Sequence, residues 1–236
     1  MSTGHRHLHE EVERLQSRLV GMAGIAEDMV RLAVTALQQR DAACAQRVIE
    51  RDEAVDAAEV EIDDLAISLL ALQQPMARDL RFITMAMKIS NDLERVGDHA
   101  VNIAEACAYL IDAPPFPALP ELDEMSRMVT SMLADSLDAF VRLDSKLAGA
   151  IGERDDRVDE LRDNIFRVLL THMIEDPRRI SSGMDLFLVS RNLERIGDLA
   201  TNIAEDVVFL VEGRTIKHGG PHVTPVVEAP GRAPTD

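Results

Sequence analysis

The chain has 236 residues, which suits two domains of about 100 residues each. Its 25 basic and 42 acidic residues give a net charge of −17, which argues against a nucleic-acid partner, because phosphate backbones are bound by clustered Lys and Arg. There are only two cysteines, no signal-peptide core at the amino terminus and no long uncharged apolar segment. We therefore expect a cytoplasmic protein that has no integral membrane segment.

Apolar residues recur in steps of three and four along the first half, which is the period of amphipathic helices. These apolar seams occupy residues 8–36, 55–72 and 82–110. The first helix is predicted to end near Arg40, and Pro75 separates the second helix from the third because proline lacks an amide hydrogen and disfavours helical geometry before it. Residues 1–112 are therefore predicted to form a three-helix bundle.

The same pattern returns after a proline-rich stretch at residues 113–120, APPFPALP, which we interpret as a stiff linker. The seams of the second half occupy residues 122–147, 158–169 and 186–210. They predict a second three-helix bundle over residues 121–212, followed by a flexible tail at 213–236 that is rich in Pro and Gly. The predicted fold is all-α, with two tandem homologous bundles.

Two segments that lie 100 residues apart are nearly identical: LERVGDHAVNIAE at 93–105 and LERIGDLATNIAE at 193–205. The chain is a tandem duplication. Both copies keep the apolar positions that packing requires, and both also keep a Glu and an Asp four residues apart, which packing alone does not require. These acidic pairs are Glu94 with Asp98 and Glu194 with Asp198.

The preceding helix of each half carries a further acidic pair with the same spacing. These pairs are Asp52 with Asp56 and Asp155 with Asp159. If each half forms an antiparallel hairpin, turning at Pro75 or at Asp176-Pro177, residues equidistant from the turn lie opposite each other. The predicted facing pairs are Asp56 with Glu94 and Asp52 with Asp98 in the first half, and Asp159 with Glu194 and Asp155 with Asp198 in the second.

Four carboxylates at one level predict a bound cation or raised pKa values. Oxygen ligands suit hard divalent or trivalent ions, so we consider Mg, Mn, Ca and oxidised Fe, with Zn as a further candidate. Supporting roles are predicted for Gly97 and Gly197, through close helix approach, and for Asn102 and Asn202, through their side-chain amides. The alternative is a structural helical adaptor whose acids are solvated, in which Arg95 and Arg195 can pair with Asp98 and Asp198, and Arg191 with Glu194.

Catalysis has little support in this sequence. No His follows a Glu by three residues, which removes the Glu-x-x-His pattern of bundle di-iron proteins, and the chain has no GxxxxGK[ST] or GxSxG motif. We therefore predict a protein that is not an enzyme and has no catalytic residues. A hydrolase or oxidase that uses the same carboxylate-bound metals is a third, weaker alternative.

The duplicated LERVGD and LERIGD segments, together with QQPMARDLR at 73–81, resemble the PhoU family of bacterial phosphate-transport regulators. The resemblance covers roughly residues 8–218. It implies two similar three-helix bundles, a homodimer, and multinuclear metal sites on the acidic motifs. It also implies a non-enzymatic role that links the ATPase subunit of the phosphate ABC transporter to a sensor histidine kinase and restrains phosphate uptake and starvation signalling.

The second half departs from the family pattern after its turn. No DLR follows Pro177, where Arg178 and Arg179 stand instead. The resemblance therefore leaves open that the two metal sites differ in metal count or affinity. Recruitment of this cytoplasmic protein to the inner face of the membrane is expected to go through its protein partners.

Overall fold

The computed structural model describes residues 3–73 and 75–214, and these ranges are almost entirely helical. The helices are α1 (Thr3–Gln39), α2 (Ala42–Gln73), α3 (Ala77–Asp112), α4 (Pro120–Arg142), α5 (Ser145–Gly149), α6 (Asp155–Glu175) and α7 (Ile180–Glu212). Single 3₁₀ turns at Gly152–Arg154 and Pro177–Arg179 precede α6 and α7. The all-α prediction is confirmed. Of the predicted tail, residues 215–236 lie outside the described residues.

The first bundle consists of α1, α2 and α3, which all pack against one another. The chain leaves α1 through Arg40, whose φ of 53° is a left-handed conformation that ends the helix. The carboxylate of Asp41 then accepts hydrogen bonds from the amides of Ala43 and Cys44, at 2.8 and 3.2 Å, and so caps the start of α2. The turn at Pro75 makes α2 and α3 an antiparallel hairpin, as predicted.

The second bundle differs from the prediction at its first helix. The apolar seam predicted one helix over residues 122–147, but α4 ends at Arg142, because Leu143 adopts a left-handed conformation with φ of 55°. The carboxylate of Asp144 accepts hydrogen bonds from the amides of Lys146 and Leu147 and starts the short helix α5. The long hairpin of this bundle is therefore α6 and α7, with α4 packed against both.

The two bundles share one hydrophobic core, because α3 packs along α7. Two polar contacts fix these helices in antiparallel register. The ammonium of Lys88 donates to Asp206 Oδ1 at 3.0 Å, and His99 Nδ1 lies 2.9 Å from Asn192 Oδ1. Asp206 is only 2% exposed, and the ammonium of Lys88 offsets part of the cost of burying its carboxylate. The middle of the molecule is thus built from the two helices that carry the duplicated motif.

Candidate metal centre

The first acidic cluster lies on the hairpin of α2 and α3, with Asp52 and Asp56 on one helix and Glu94 and Asp98 on the other. Burial raises the pKa of Asp52, and the charges of Asp56 and Asp98 raise it further. Burial also raises the pKa of Glu94, followed by the charges of Asp98, Glu59, Asp56 and Asp52. The hairpin therefore brings these four acids, with Glu59 beside them, to one level.

Among the described residues, no positively charged side chain pairs with the acids of the first cluster. Within the described ranges, none of Asp52, Asp56, Glu94 and Asp98 has a hydrogen bond or an ion pair with another side chain. The nearest arginine on α3, Arg95, turns away from Asp98 and pairs with Asp92, at 3.4 Å. The pairing of Arg95 with Asp98, which the structural-adaptor alternative allowed, is therefore not formed. In the part of the chain that the structure describes, no arginine or lysine lies within ion-pair distance of these four carboxylates to offset their repulsion.

The second acidic cluster has the same layout on α6 and α7, but arginine side chains pair with its acids. The guanidinium of Arg162 lies 3.1 Å from Asp159 Oδ1 and 3.0 Å from Glu194 Oε1, so it bridges the facing pair. One turn further along, Arg195 Nη1 lies 3.0 Å from Asp198 Oδ2. In this cluster, therefore, the pairing of Arg195 with Asp198 that the structural-adaptor alternative allowed is present.

The remaining acid of the second cluster, Asp155, accepts a long hydrogen bond of 3.4 Å from the hydroxyl of Thr201. Burial raises the pKa of Asp155, as do the charges of Asp198 and Asp159, while the Thr201 hydrogen bond lowers it. All four acids of the second cluster therefore have a donor from the protein itself. Their positions agree with the predicted facing pairs, because the charge of Asp198 affects the pKa of Asp155, and Arg162 bridges Asp159 and Glu194.

Three differences between the repeats account for this contrast. Three residues after the second Asp of the first hairpin helix, the first repeat has Glu59 and the second has Arg162. Two residues before the motif Glu, Asp92 holds Arg95 in the first repeat, whereas the second has the uncharged Asn192 and Arg195 turns to Asp198 instead. The third difference places Val101 where the second repeat has Thr201. Each difference adds a donor or a positive charge to the second cluster only.

Glu194 is the most deeply placed of the eight acids. It is 7% exposed and, as a buried charge, requires a partner. Arg162 supplies that partner at Oε1, while Oε2 is buried without a hydrogen bond and has Arg195 Nε at 3.6 Å. Its counterpart Glu94 is only half-buried and faces Glu59 rather than an arginine.

The predicted supporting residues occupy different settings. A Cβ placed on Gly97 meets Val55 Cγ1 at 3.5 Å and Asp52 Oδ1 at 3.8 Å, and one placed on Gly197 meets Val158 Cγ1 at 3.6 Å. Both glycines are buried and both face the valine of the preceding helix, but these distances are ordinary contacts that an alanine also makes. Asn102 is exposed and Asn202 half-buried, and no hydrogen bond joins either amide to the acids within the described residues.

Oxygen donors of this kind suit hard cations such as Mg²⁺ or Mn²⁺. In the arrangement that the structure describes, however, no three His, Cys, Asp or Glu side chains of residues 3–73 and 75–214 stand in position to hold a metal ion. The metal-ligand assignments therefore stay predictions. The carboxylates of the first cluster suit a cation, because no side chain of the described residues donates to them. Three of the four carboxylates of the second cluster already pair with Arg162 or Arg195.

An exposed apolar surface on the second hairpin was missed by the sequence analysis. Two rows with four-residue spacing lie at matching distances from the turn, and each member is at least 42% exposed. We call them the hairpin-tip face: Phe166, Leu170 and Ile174 on α6, and Ile180, Met184 and Leu188 on α7. The signal was present in the sequence, since these rows lie outside the buried seam of their helices. Rows of exposed apolar side chains of this kind favour an interaction surface.

Among the helices of the described residues, none is long and apolar enough to cross a membrane. The fold and the acidic clusters define a duplicated all-helical protein in which each repeat carries acids at one level of its long hairpin. The model of the PhoU domain matches this chain twice, at residues 19–107 and 122–207. The chain therefore belongs to the PhoU family.

Relatives cover nearly the whole chain. A protein of Caulobacter vibrioides (strain NA1000 / CB15N) named phosphate-specific transport system accessory protein PhoU homolog is 43% identical over 208 residues, which is 88% of this chain and 90% of the relative. A homolog of the same name from Pseudomonas putida is 39% identical over 216 residues, 91% of this chain and 84% of the relative.

Solved structures agree with the fold. The crystal structure of PhoU from Pseudomonas aeruginosa matches with a TM-score of 0.84 and 39% identity, over 87% of this chain and 99% of that chain. The phosphate transport system regulatory protein PhoU from Streptococcus pneumoniae matches with a TM-score of 0.80 and 28% identity, over 93% and 100%. The prediction of a PhoU-like fold is confirmed.

Proposed function

We propose that this protein is a cytoplasmic accessory protein of a phosphate-specific transport system, which restrains phosphate uptake and phosphate-starvation signalling. The observation that carries this proposal is the match of both repeats to the PhoU domain, at residues 19–107 and 122–207. It is supported by relatives about 40% identical whose names state this accessory role. We propose that it acts by binding rather than by catalysis, which agrees with the accessory role named for these relatives.

The proposed partners are the ATPase subunit of the phosphate ABC transporter and a phosphate-sensing histidine kinase, with the protein itself a homodimer. Partner binding is supported by the hairpin-tip face, whose six apolar side chains remain accessible to a second protein. The first acidic cluster is proposed to bind a cation such as Mn²⁺, Mg²⁺, Fe or Zn²⁺, with Glu94 and Asp98 among its ligands. In that role the cation offsets the repulsion that raises the pKa of Glu94.

Deletion of the gene tests the regulatory role. The deletion strain should express phosphate-starvation genes in phosphate-rich medium, measured with a transcriptional reporter, and the wild-type gene supplied on a plasmid should restore repression. Unchanged reporter activity in the deletion strain would remove the regulatory role from this protein.

Complementation with surface variants tests the partner surface. Met184→Lys with Leu188→Lys places two charges on exposed positions of α7, so the fold should persist while repression is lost. Ile67→Lys on the first hairpin is the matched control, because Ile67 is also an exposed apolar residue, at 56%, and occupies the position equivalent to Leu170. Circular dichroism confirms that the variants fold. Full repression by the double variant would exclude the hairpin-tip face as the contact.

A further inference from the structure

We propose that Arg162 is a built-in counter-cation of the second bundle, which holds the second acidic cluster together without a metal and confines metal binding to the first cluster. The proposal rests on the proposed cation binding of the first cluster and adds which of the two repeats carries it. It concerns a residue outside the duplicated motif, on α6 rather than α7.

The contacts of Arg162 carry the argument. Its guanidinium lies within 3.1 Å of three carboxylates, those of Asp159, Asp163 and Glu194. A metal ion bridging the same facing pair would have to displace this group, since Arg162 Nη1 already lies between Asp159 and Glu194. A divalent ion placed near an arginine also meets electrostatic repulsion, which the first cluster does not impose.

The burial of Glu194 supplies an independent observation. With 7% of its surface exposed, Glu194 cannot rely on water for charge compensation, and its Oε2 has no hydrogen bond. The second cluster therefore needs a permanent cation more than the first. Arg162 is 28% exposed at its side chain and remains protonated at every pH at which the protein folds. It cannot dissociate as a metal does.

The first repeat shows what happens without the arginine. The equivalent position is Glu59, which adds a further carboxylate beside Glu94. The side-chain amide of Asn91 donates a long hydrogen bond of 3.4 Å to Glu59 Oε1. Among the described residues, the acids of the first cluster therefore have no paired arginine, whereas two arginines compensate about half of the charge of the four acids in the second cluster. The replacement of Glu59 by Arg162 at this position changes the sign of one charge.

Reciprocal substitution tests the proposal with Mn²⁺ as the probe. The full-length protein is equilibrated with MnCl₂ and freed of loosely bound ion, and its metal content is measured by elemental analysis. Glu94→Gln with Asp98→Asn should remove the bound Mn²⁺ from the wild-type background, whereas Glu194→Gln with Asp198→Asn should leave its amount unchanged. Arg162→Glu should add Mn²⁺ bound at the second cluster, and Glu59→Arg should abolish the Mn²⁺ bound at the first cluster.

Arg162→Lys is the matched control, because it keeps the positive charge and should leave the metal content at the wild-type level. An equal loss of Mn²⁺ from the two motif variants, with no gain in Arg162→Glu, would overturn the proposal. If Arg162→Glu fails to fold, the same measurement is made on Arg162→Gln, which should gain Mn²⁺, and on Glu59→Arg, which should lose it.

The outcome also separates this inference from the proposed function. If the wild-type protein binds no Mn²⁺ at all, cation binding by the first cluster is refuted, and the role of Arg162 is then decided by urea unfolding in chelator. There, Arg162→Gln should lower the unfolding midpoint, while Glu59→Gln, which removes a like charge, should raise it. A midpoint unchanged in Arg162→Gln would show that Arg162 does not hold the second cluster.

Discussion

The same double substitution is expected to shift stability in opposite directions in the two repeats. In metal-free protein, Glu94→Gln with Asp98→Asn removes two like charges that repel at i,i+4 spacing, by about 0.2–0.5 kcal/mol. Each of them also faces an acid of α2, which adds a surface-type repulsion of roughly 0.2–1 kcal/mol per pair. The first variant should therefore be more stable than wild type by about 1 kcal/mol.

The equivalent change in the second repeat removes attractions instead. Glu194→Gln with Asp198→Asn breaks the 3.0 Å contact of Glu194 with Arg162 and the 3.0 Å contact of Asp198 with Arg195. The first is a charge-assisted bond to a buried carboxylate and contributes about 2 kcal/mol, and the second is a surface pair that contributes about 0.5 kcal/mol. After about 1 kcal/mol of relieved repulsion is subtracted, the second variant should lose about 1.5 kcal/mol.

Urea unfolding of both variants and wild type in EDTA, followed by circular dichroism, measures this difference. The two free energies of unfolding should differ by about 2.5 kcal/mol, well beyond the error of linear extrapolation. With Mn²⁺ at 100 times its dissociation constant, wild type should gain about 3 kcal/mol that the first variant lacks. Shifts of the same sign and size in EDTA would refute the idea that the two clusters differ in charge compensation.

Three further predictions follow from single contacts. Burial and neighbouring acids raise the pKa values of Asp52 and Glu94, so the stability that comes with their protonation is present at low pH and is lost as pH rises through the raised values. Asp52→Asn with Glu94→Gln should therefore flatten the pH dependence of the stability of metal-free protein above the ordinary carboxyl pKa, measured by urea unfolding at a series of pH values. Gly97→Ala should raise the free energy of unfolding by about 0.5–1 kcal/mol, since the added Cβ meets its neighbours at 3.5 Å or more and alanine favours the helix; a loss in thermal melting would contradict this. Lys88→Met should cost about 2 kcal/mol by leaving the 2%-exposed Asp206 without its lysine, while Lys88→Arg retains most of the stability in the same melting experiment.

Much of the fold could be predicted because each long helix carries a continuous apolar seam that ends at a recognisable signal, such as Pro75. The exception is the end of α4. Leu143 is apolar and so does not interrupt the pattern, but its left-handed conformation ends α4. The carboxylate of Asp144 then caps the start of α5. An Asp followed by a short helical stretch is a start signal that the periodicity of the seam outweighed.

The level of the acids could also be predicted, because equal distance from the turn of an antiparallel hairpin determines which residues face each other. The partners of the acids could not, because the choice of partner depends on side chains outside the motif. Arg95 and Arg195 are identical in the aligned segments, yet one pairs with Asp92 and the other with Asp198. Comparing the flanks of the two repeats, where Asp92 corresponds to Asn192, would have exposed this difference.

The position of Arg162 determines how each bundle responds to its surroundings. An arginine that bridges Asp159 and Glu194 is covalently part of the chain, so its stabilising effect does not depend on the concentration of any ion. A cation on the first cluster would instead stabilise the folded state only to the extent that it is available. Because α3 carries Glu94 and also Lys88, which holds α3 to Asp206 of α7, we expect cation loading to stiffen the junction of the two bundles from the first side alone. Hydrogen exchange of α3 and α6 amides with and without Mn²⁺ should therefore show a greater gain in protection along α3 than along α6, and equal gains in these two helices would contradict a one-sided response.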